Sequence, residues 1–154
     1  MKNFKNALLF ILALFLISGC QSEKTTNASI IESLSNIEGK YILNPQTKSY
    51  SFNAKAKIED IINESNQEEL INALVENMDN EKKSKSTLNG KVLPIGIICY
   101  EALTQIIYFE PTNNEGDISS TWKGHLNPQA TSIQMREAKK AWKKVVEMKS
   151  FIYQ

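Results

Sequence analysis

The opening of the chain limits what the rest can become. Lys2 and Lys5 precede an unbroken apolar run, Ala7 to Ile17, in which no residue is polar. A helix on a globular surface needs a polar side to meet water. A helix crossing a bilayer needs about 20 apolar residues, each rising about 1.5 Å, to match about 30 Å of hydrocarbon. This run has eleven. A basic start, a short apolar core and the small residues Ser18 and Gly19 after it form the pattern of an export signal, which is removed from the mature protein. If residues 1–19 leave, 135 of the 154 remain, about the size of one domain and enough to bury a core.

The seam at the end of that run is Ile17-Ser18-Gly19-Cys20. It resembles the lipobox of bacterial prolipoproteins: an aliphatic residue, two small residues, then cysteine. The resemblance covers only residues 1–20. It implies cleavage after Gly19, a diacylglyceryl group on the Cys20 sulfur, and an acylated Cys20 as the new N-terminus. The thiol is the nucleophile, and small neighbours let the chain enter a protease at the membrane face. Two or more acyl chains anchor a protein stably where one holds it only marginally, at about 0.8 kcal/mol per buried CH₂. Gln21 stands where, in the sorting pattern of that family, an aspartate favours inner-membrane retention. In a Gram-negative organism the resemblance therefore implies an outer-membrane lipoprotein facing the periplasm.

Lys2 and Lys5 depart with the signal, so 16 of the 18 basic residues face 17 acidic ones. That balance offers no global field for nucleic acid. With Cys20 lipidated, Cys99 stands alone and has no internal disulfide partner, although an exported compartment would permit the bond.

The expected organisation is a signal at 1–19, a lipidated polar tether at 20–28 and a globular domain at 29–154. The tether residues Gln21 to Asn27 reach at most about 25 Å when extended. Ile30, Ile31, Leu34 and Ile37 recur at helical spacing, with Gly39 to end that helix. Lys40 to Leu43, the Asn44-Pro45 turn, and the alternation of Tyr50, Phe52, Ala54, Ala56 and Ile58 suggest a hairpin. Ile58, Ile61 and Ile62 start a helix. Another follows with Asn66 as cap and Glu69 three residues on as in a capping box, burying Leu70, Ile71, Leu74, Val75 and Met78. Asp79 to Lys85 is polar and reads as a loop. Leu93 to Phe109, the most apolar mature segment, reads as a central helix with Pro94 in its first turn, although isoleucine also permits a strand at Val92 to Cys99. After a loop from Pro111 to Pro128, Thr131 and Gln134 form a capping box for a last helix. It presents Met135, Ala138, Ala141, Trp142 and Val145 inward, and Phe151-Ile152-Tyr153 folds back on the body. The fold class expected is mainly α, a single compact helical domain with room for a small β-hairpin near residues 40–57.

The residues that carry chemistry are few. Cys99 is a nucleophile only if a base lowers its pKa, yet it lies on the apolar stripe behind Ile97 and Ile98, as a small core residue would. The one histidine, His125, could serve as its base, and Glu101 sits within the apolar helix without an evident partner. One histidine and no close-spaced ligand pair argue against zinc. Asn113-Asn114-Glu115-Gly116-Asp117 has the oxygens of a calcium loop. Setting Gly116 at the sixth position of an EF-hand, however, puts Pro111 at the first ligand and Trp122 at the bidentate one, so that motif fails. Trp122 and His125 either bind something from the long loop or pin it. Arg136, Lys139, Lys140, Lys143 and Lys144 form a basic side on the last helix, either a solvated face or a contact for anionic lipid. No serine elbow, P-loop or dinucleotide fingerprint occurs.

The functional expectation is a lipid-anchored envelope lipoprotein, non-enzymatic, that binds or supports another envelope protein. Its partners are the membrane, through lipid on Cys20, and that protein; nucleic acid is excluded. No catalytic, cofactor or metal residue is assigned. The alternatives are an envelope enzyme with its site at the 111–128 loop, and a membrane-surface binder using the basic helix 131–149.

Overall fold

The computed structural model describes residues 27–112, 119 and 121–154. The expected export signal at 1–19, Cys20 and the stretch Asn113 to Asp117 lie outside the described residues. Helix α1 (Asn27–Ser35) leads into strand β1 (Lys40–Leu43) and β2 (Tyr50–Phe52), followed by α2 (Lys55–Asn63) and α3 (Gln67–Glu76). Then come β3 (Lys83–Leu88), β4 (Lys91–Pro94), α4 (Ile95–Ile106), β5 (Ile107–Tyr108), α5 (Ser132–Glu147) and β6 (Ile152–Tyr153).

The mainly α expectation is wrong. The described residues are 46% helical and 18% strand, with the strands in two sheets, so the fold is mixed α/β. The larger sheet has the order β2-β1-β3-β4. Two antiparallel hairpins, β1–β2 and β3–β4, meet along a parallel pairing of β1 with β3, and α2 and α3 form the crossover between them. The expected hairpin near 40–57 is present only as far as Phe52, with Tyr41 opposite Phe52 and Leu43 opposite Tyr50, while Ala56 and Ile58 belong to helix α2 instead of extending the strand. Its loop is held by Asn44, whose Oδ1 accepts the N–H groups of Gln46 and Thr47, the local bonding that makes asparagine a turn former.

The missed hairpin lies where a loop was expected. From Lys83 the chain alternates as a strand should, with Ser84, Ser86 and Leu88 turned inward and Lys83 and Lys85 outward. Two of the inward residues are serines, so the alternation carries no hydrophobic signal. Their hydroxyls are satisfied: Ser84 Oγ donates to the Leu93 carbonyl at 2.9 Å, and Ser86 Oγ donates to the Ile37 carbonyl at 2.7 Å. Asn89 and Gly90 both have positive φ, 50° and 78°, the requirement of a tight two-residue hairpin turn.

One face of this sheet packs on α1 and α4, and its other face, with Lys40, Ile42, Lys85 and Val92, meets solvent. Helix α4 is central, as expected, though shorter than Leu93 to Phe109. Pro94 is its N-cap and ends β4, so the strand reading of Val92 to Cys99 holds only to Pro94. Ile95, Ile97, Ile98, Cys99, Ala102, Leu103 and Ile106 are all buried. Gly96 is required, because a Cβ there would run into the Met78 carbonyl where α3 ends. Helix α1 ends at Ser35 rather than at Gly39, which instead lies under the Phe52 ring with no room for a Cβ. The Thr131–Gln134 capping box forms as expected, and Asn66 caps α3 by accepting the Glu68 and Glu69 N–H groups, without the reciprocal Glu69 bond of a capping box among the described residues. The tail also packs back: β6 pairs antiparallel with β5, and the Gln154 N–H donates to the Ile106 carbonyl.

Candidate functional site

Helix α4 is apolar on most sides but carries Tyr100, Glu101, Thr104 and Gln105 at the i, i+1, i+4, i+5 spacing that shares one face. The stripe is half-buried, and its Tyr100 and Glu101 turn toward the β1–β2 hairpin. A cleft of about 410 Å³ opens there, walled by Tyr41, Lys48 and Tyr50 of the hairpin, Ile97, Tyr100 and Glu101 of α4, and Leu126 to Pro128.

Glu101 lies at the centre of the polar groups, with 15% of its side chain exposed. Tyr41 Oη donates to Glu101 Oε2 at 2.9 Å from 60 residues away in sequence. Burial, then the adjacent Glu101 charge, pushes the Tyr41 phenol far up, so it remains a donor. The other oxygen, Oε1, has only long contacts among the described residues: Gln105 Nε2 at 3.5 Å and Lys55 Nζ at 4.0 Å. Burial also raises the Tyr100 phenol; the Leu126 N–H donated to its oxygen opposes this, while the Glu101 charge adds to the rise. Tyr100 Oη also approaches His125 Nδ1, at 3.5 Å.

The sequence candidates therefore separate. His125 is exposed and joins the Tyr100–Glu101 side, whereas Cys99 is fully buried in the core cluster, where burial pushes its thiol up to about 12. A neutral thiol sealed from solvent is a poor nucleophile. Glu101, which had no evident partner in the sequence, has Tyr41. Trp122 pins its loop: its ring stands 4.9 Å from Phe109 and 5.8 Å from Trp142, and it covers Gly124, where a Cβ would strike it. Trp142 Nε1 donates to the Gly124 carbonyl at 2.8 Å. These contacts bring Leu126 to Pro128 over the cleft. Gln105 Oε1 and Trp122 Nε1 are buried without hydrogen-bond partners among the described residues.

The basic side of α5 is largely paired. Lys139 Nζ donates to Asp79 Oδ1 at 2.9 Å and to the Glu76 carbonyl at 2.6 Å; Lys143 pairs with Glu76 at 2.6 Å and Arg136 with Glu81 at 3.9 Å. These cations clamp the end of α3 and the chain beyond it, leaving Lys140 and Lys144 without acidic partners among the described residues. Tyr41, Lys48 and Tyr50 were missed as site residues because their hairpin is distant from α4 in sequence. Glu101 and Tyr100 on an otherwise apolar helix were the available signal.

Among the described residues, no three His, Cys, Asp or Glu side chains converge to hold a metal ion, and no helix is long and apolar enough to cross a membrane. No protein-family model, curated protein or solved structure matches this chain.

Proposed function

We propose that this chain is a lipid-anchored protein of the bacterial envelope that works by binding, with the cleft around Tyr41, Tyr100 and Glu101 as its recognition site. The observation that carries the anchor is Ile17-Ser18-Gly19-Cys20 closing a basic-then-apolar signal of too few residues to span a bilayer. Lipid on Cys20 and the short tether after it keep the domain within about 25 Å of the membrane surface. In a Gram-negative cell, Gln21 directs it to the outer membrane, facing the periplasm.

The binding half is supported by the cleft itself, a concave surface drawn from three separate parts of the chain, with convergent polar groups. Binding is favoured over catalysis because the thiol lies sealed in the core, away from the Tyr41–Glu101 pair. A lipid-surface role for the α5 cations has less support, since Lys139, Lys143 and Arg136 are engaged with acidic groups of the same domain.

Mass spectrometry of the N-terminal peptide from native membranes tests the anchor. An acylated Cys20 at the mature terminus is expected, and Cys20→Ala should release the protein from the membrane fraction. An unmodified thiol, or a cut elsewhere, would sink the proposal.

A further inference from the structure

The cleft offers both signs of charge, each with unused capacity. Glu101 Oε2 is taken by Tyr41, but Oε1 has, among the described residues, only contacts of 3.5 and 4.0 Å. An ionised carboxylate has about four lone-pair sites and bonds most strongly to charged donors at about 2.7–2.9 Å. Lys55, the cation nearest Oε1, is 58% exposed and so holds it weakly. On the hairpin side, Lys48 lines the same cleft and has no acidic partner among the described residues. Its backbone is fixed at φ 53° in the loop that Asn44 organises.

We propose that this cleft binds a small zwitterion, a molecule of the free amino acid or short peptide class, with its ammonium at the Glu101 carboxylate and its carboxylate at Lys48. The inference rests on the reading of the cleft as a recognition site and names its ligand class. An anion alone would meet Glu101, and a cation alone would meet Lys48 and Lys55. Only a ligand carrying both charges, oriented one way, pairs with Glu101 and Lys48 together, and the weakly held Lys55 is the one like charge near its ammonium. Tyr50 and Tyr100 also line the cleft, and an aromatic ring attracts an ammonium that reaches its face. The Tyr41 hydroxyl, bonded to Glu101 Oε2, holds the carboxylate in place as the ligand enters.

The test uses the full chain in detergent, titrated calorimetrically with glycine, diglycine and triglycine, which differ mainly in charge separation, and with methylammonium and acetate as single-charge probes. At least one of the three zwitterions should bind saturably, at least about tenfold tighter than either single-charge probe. Glu101→Gln and Lys48→Met should each weaken that binding about tenfold or more, as loss of a charge-assisted bond requires. Lys55→Met should leave it unchanged or strengthen it. Lack of saturable binding by all three zwitterions would overturn the proposal. So would methylammonium or acetate binding within tenfold of the best zwitterion, as would Lys48→Met or Glu101→Gln retaining affinity with unchanged unfolding. An unacylated Cys20 would remove the anchor without affecting these titrations, and flat titrations would remove the ligand without affecting the anchor.

Discussion

Ser86→Ala tests the hydrogen bonding that turns a polar stretch into an interior strand. Ser86 is fully buried; its hydroxyl donates to the Ile37 carbonyl at 2.7 Å and accepts the Gly39 N–H at 3.3 Å. Alanine removes both bonds and leaves a buried carbonyl and a buried amide without partners. Each such orphan costs about 1–3 kcal/mol, with the longer bond toward the low end. A loss of about 3 kcal/mol is therefore expected, a large part of the roughly 5–15 kcal/mol that stabilises a domain. At about 3–5 °C per kcal/mol for a domain of this size, Tm should fall by about 10 °C. Urea unfolding of the full chain, followed by circular dichroism, should show a lower midpoint with an unchanged slope. Lys85→Ala, one residue along on the solvent face, is the control and should stay within about 0.5 kcal/mol of the parent. If Ser86→Ala also stayed within about 0.5 kcal/mol, the hydroxyl would not be what satisfies the joint between α1 and β1.

Lys139→Met should cost about 1–2 kcal/mol in the same urea assay, since it removes bonds to Asp79 and to the last turn of α3, while Lys140→Met should have little effect. Acid unfolding should reveal the same cluster. The Lys143 hydrogen bond, opposed by burial and helped by the Lys139 charge, holds the Glu76 carboxyl below its ordinary range. Its stabilising contribution is thus present above the ordinary carboxylate pKa and is lost as pH falls through the depressed one, and Lys143→Met should diminish that acid-side loss. Cys99 should resist a thiol reagent at pH 8, reacting at least about 100-fold slower than in denaturant, because burial keeps its thiol neutral; rapid native labelling would contradict its place in the core. Gly124→Ala forces a Cβ into the Trp122 ring. It should destabilise by about 1–3 kcal/mol and shift the tryptophan fluorescence; an unchanged spectrum would mean that Trp122 does not cover this glycine.

Local interactions were legible because they close within a few residues. The Asn66 cap, the Thr131–Gln134 box and the Asn44-Pro45 turn are each satisfied by their immediate neighbours. The apolar stripe of α4 was legible too, because Ile95, Ile98, Ala102 and Ile106 repeat at helical spacing. The strand β3 was obscured because strand periodicity is ordinarily read from hydrophobicity, and Ser84 and Ser86 bury hydroxyls instead. The Asn89-Gly90 pair was a turn signal in plain sequence that the polar flank concealed.

The candidate site shows the same division. Glu101 stood out as a carboxylate on an apolar helix, but Tyr41, Lys48 and the segment Leu126 to Pro128 come from elsewhere in the chain, and no sequence period relates them. The basic run on α5 was visible as charge, but its engagement depended on Glu76 and Asp79, about 60 residues earlier.

The sequence by itself determined the pattern of the export signal, the lipobox resemblance at Cys20, the helix caps and the central apolar helix, since each depends on neighbours along the chain. Tertiary structure alone decided that the fold is mixed α/β, that Cys99 is shut into the core while His125 stands beside Tyr100, and that a carboxylate and an ammonium line one cleft. The physical reason is the range of the forces. Capping and periodicity act within a few residues, whereas a buried serine in a strand or a tyrosine held by a distant glutamate is stable only once packing has excluded water around both partners.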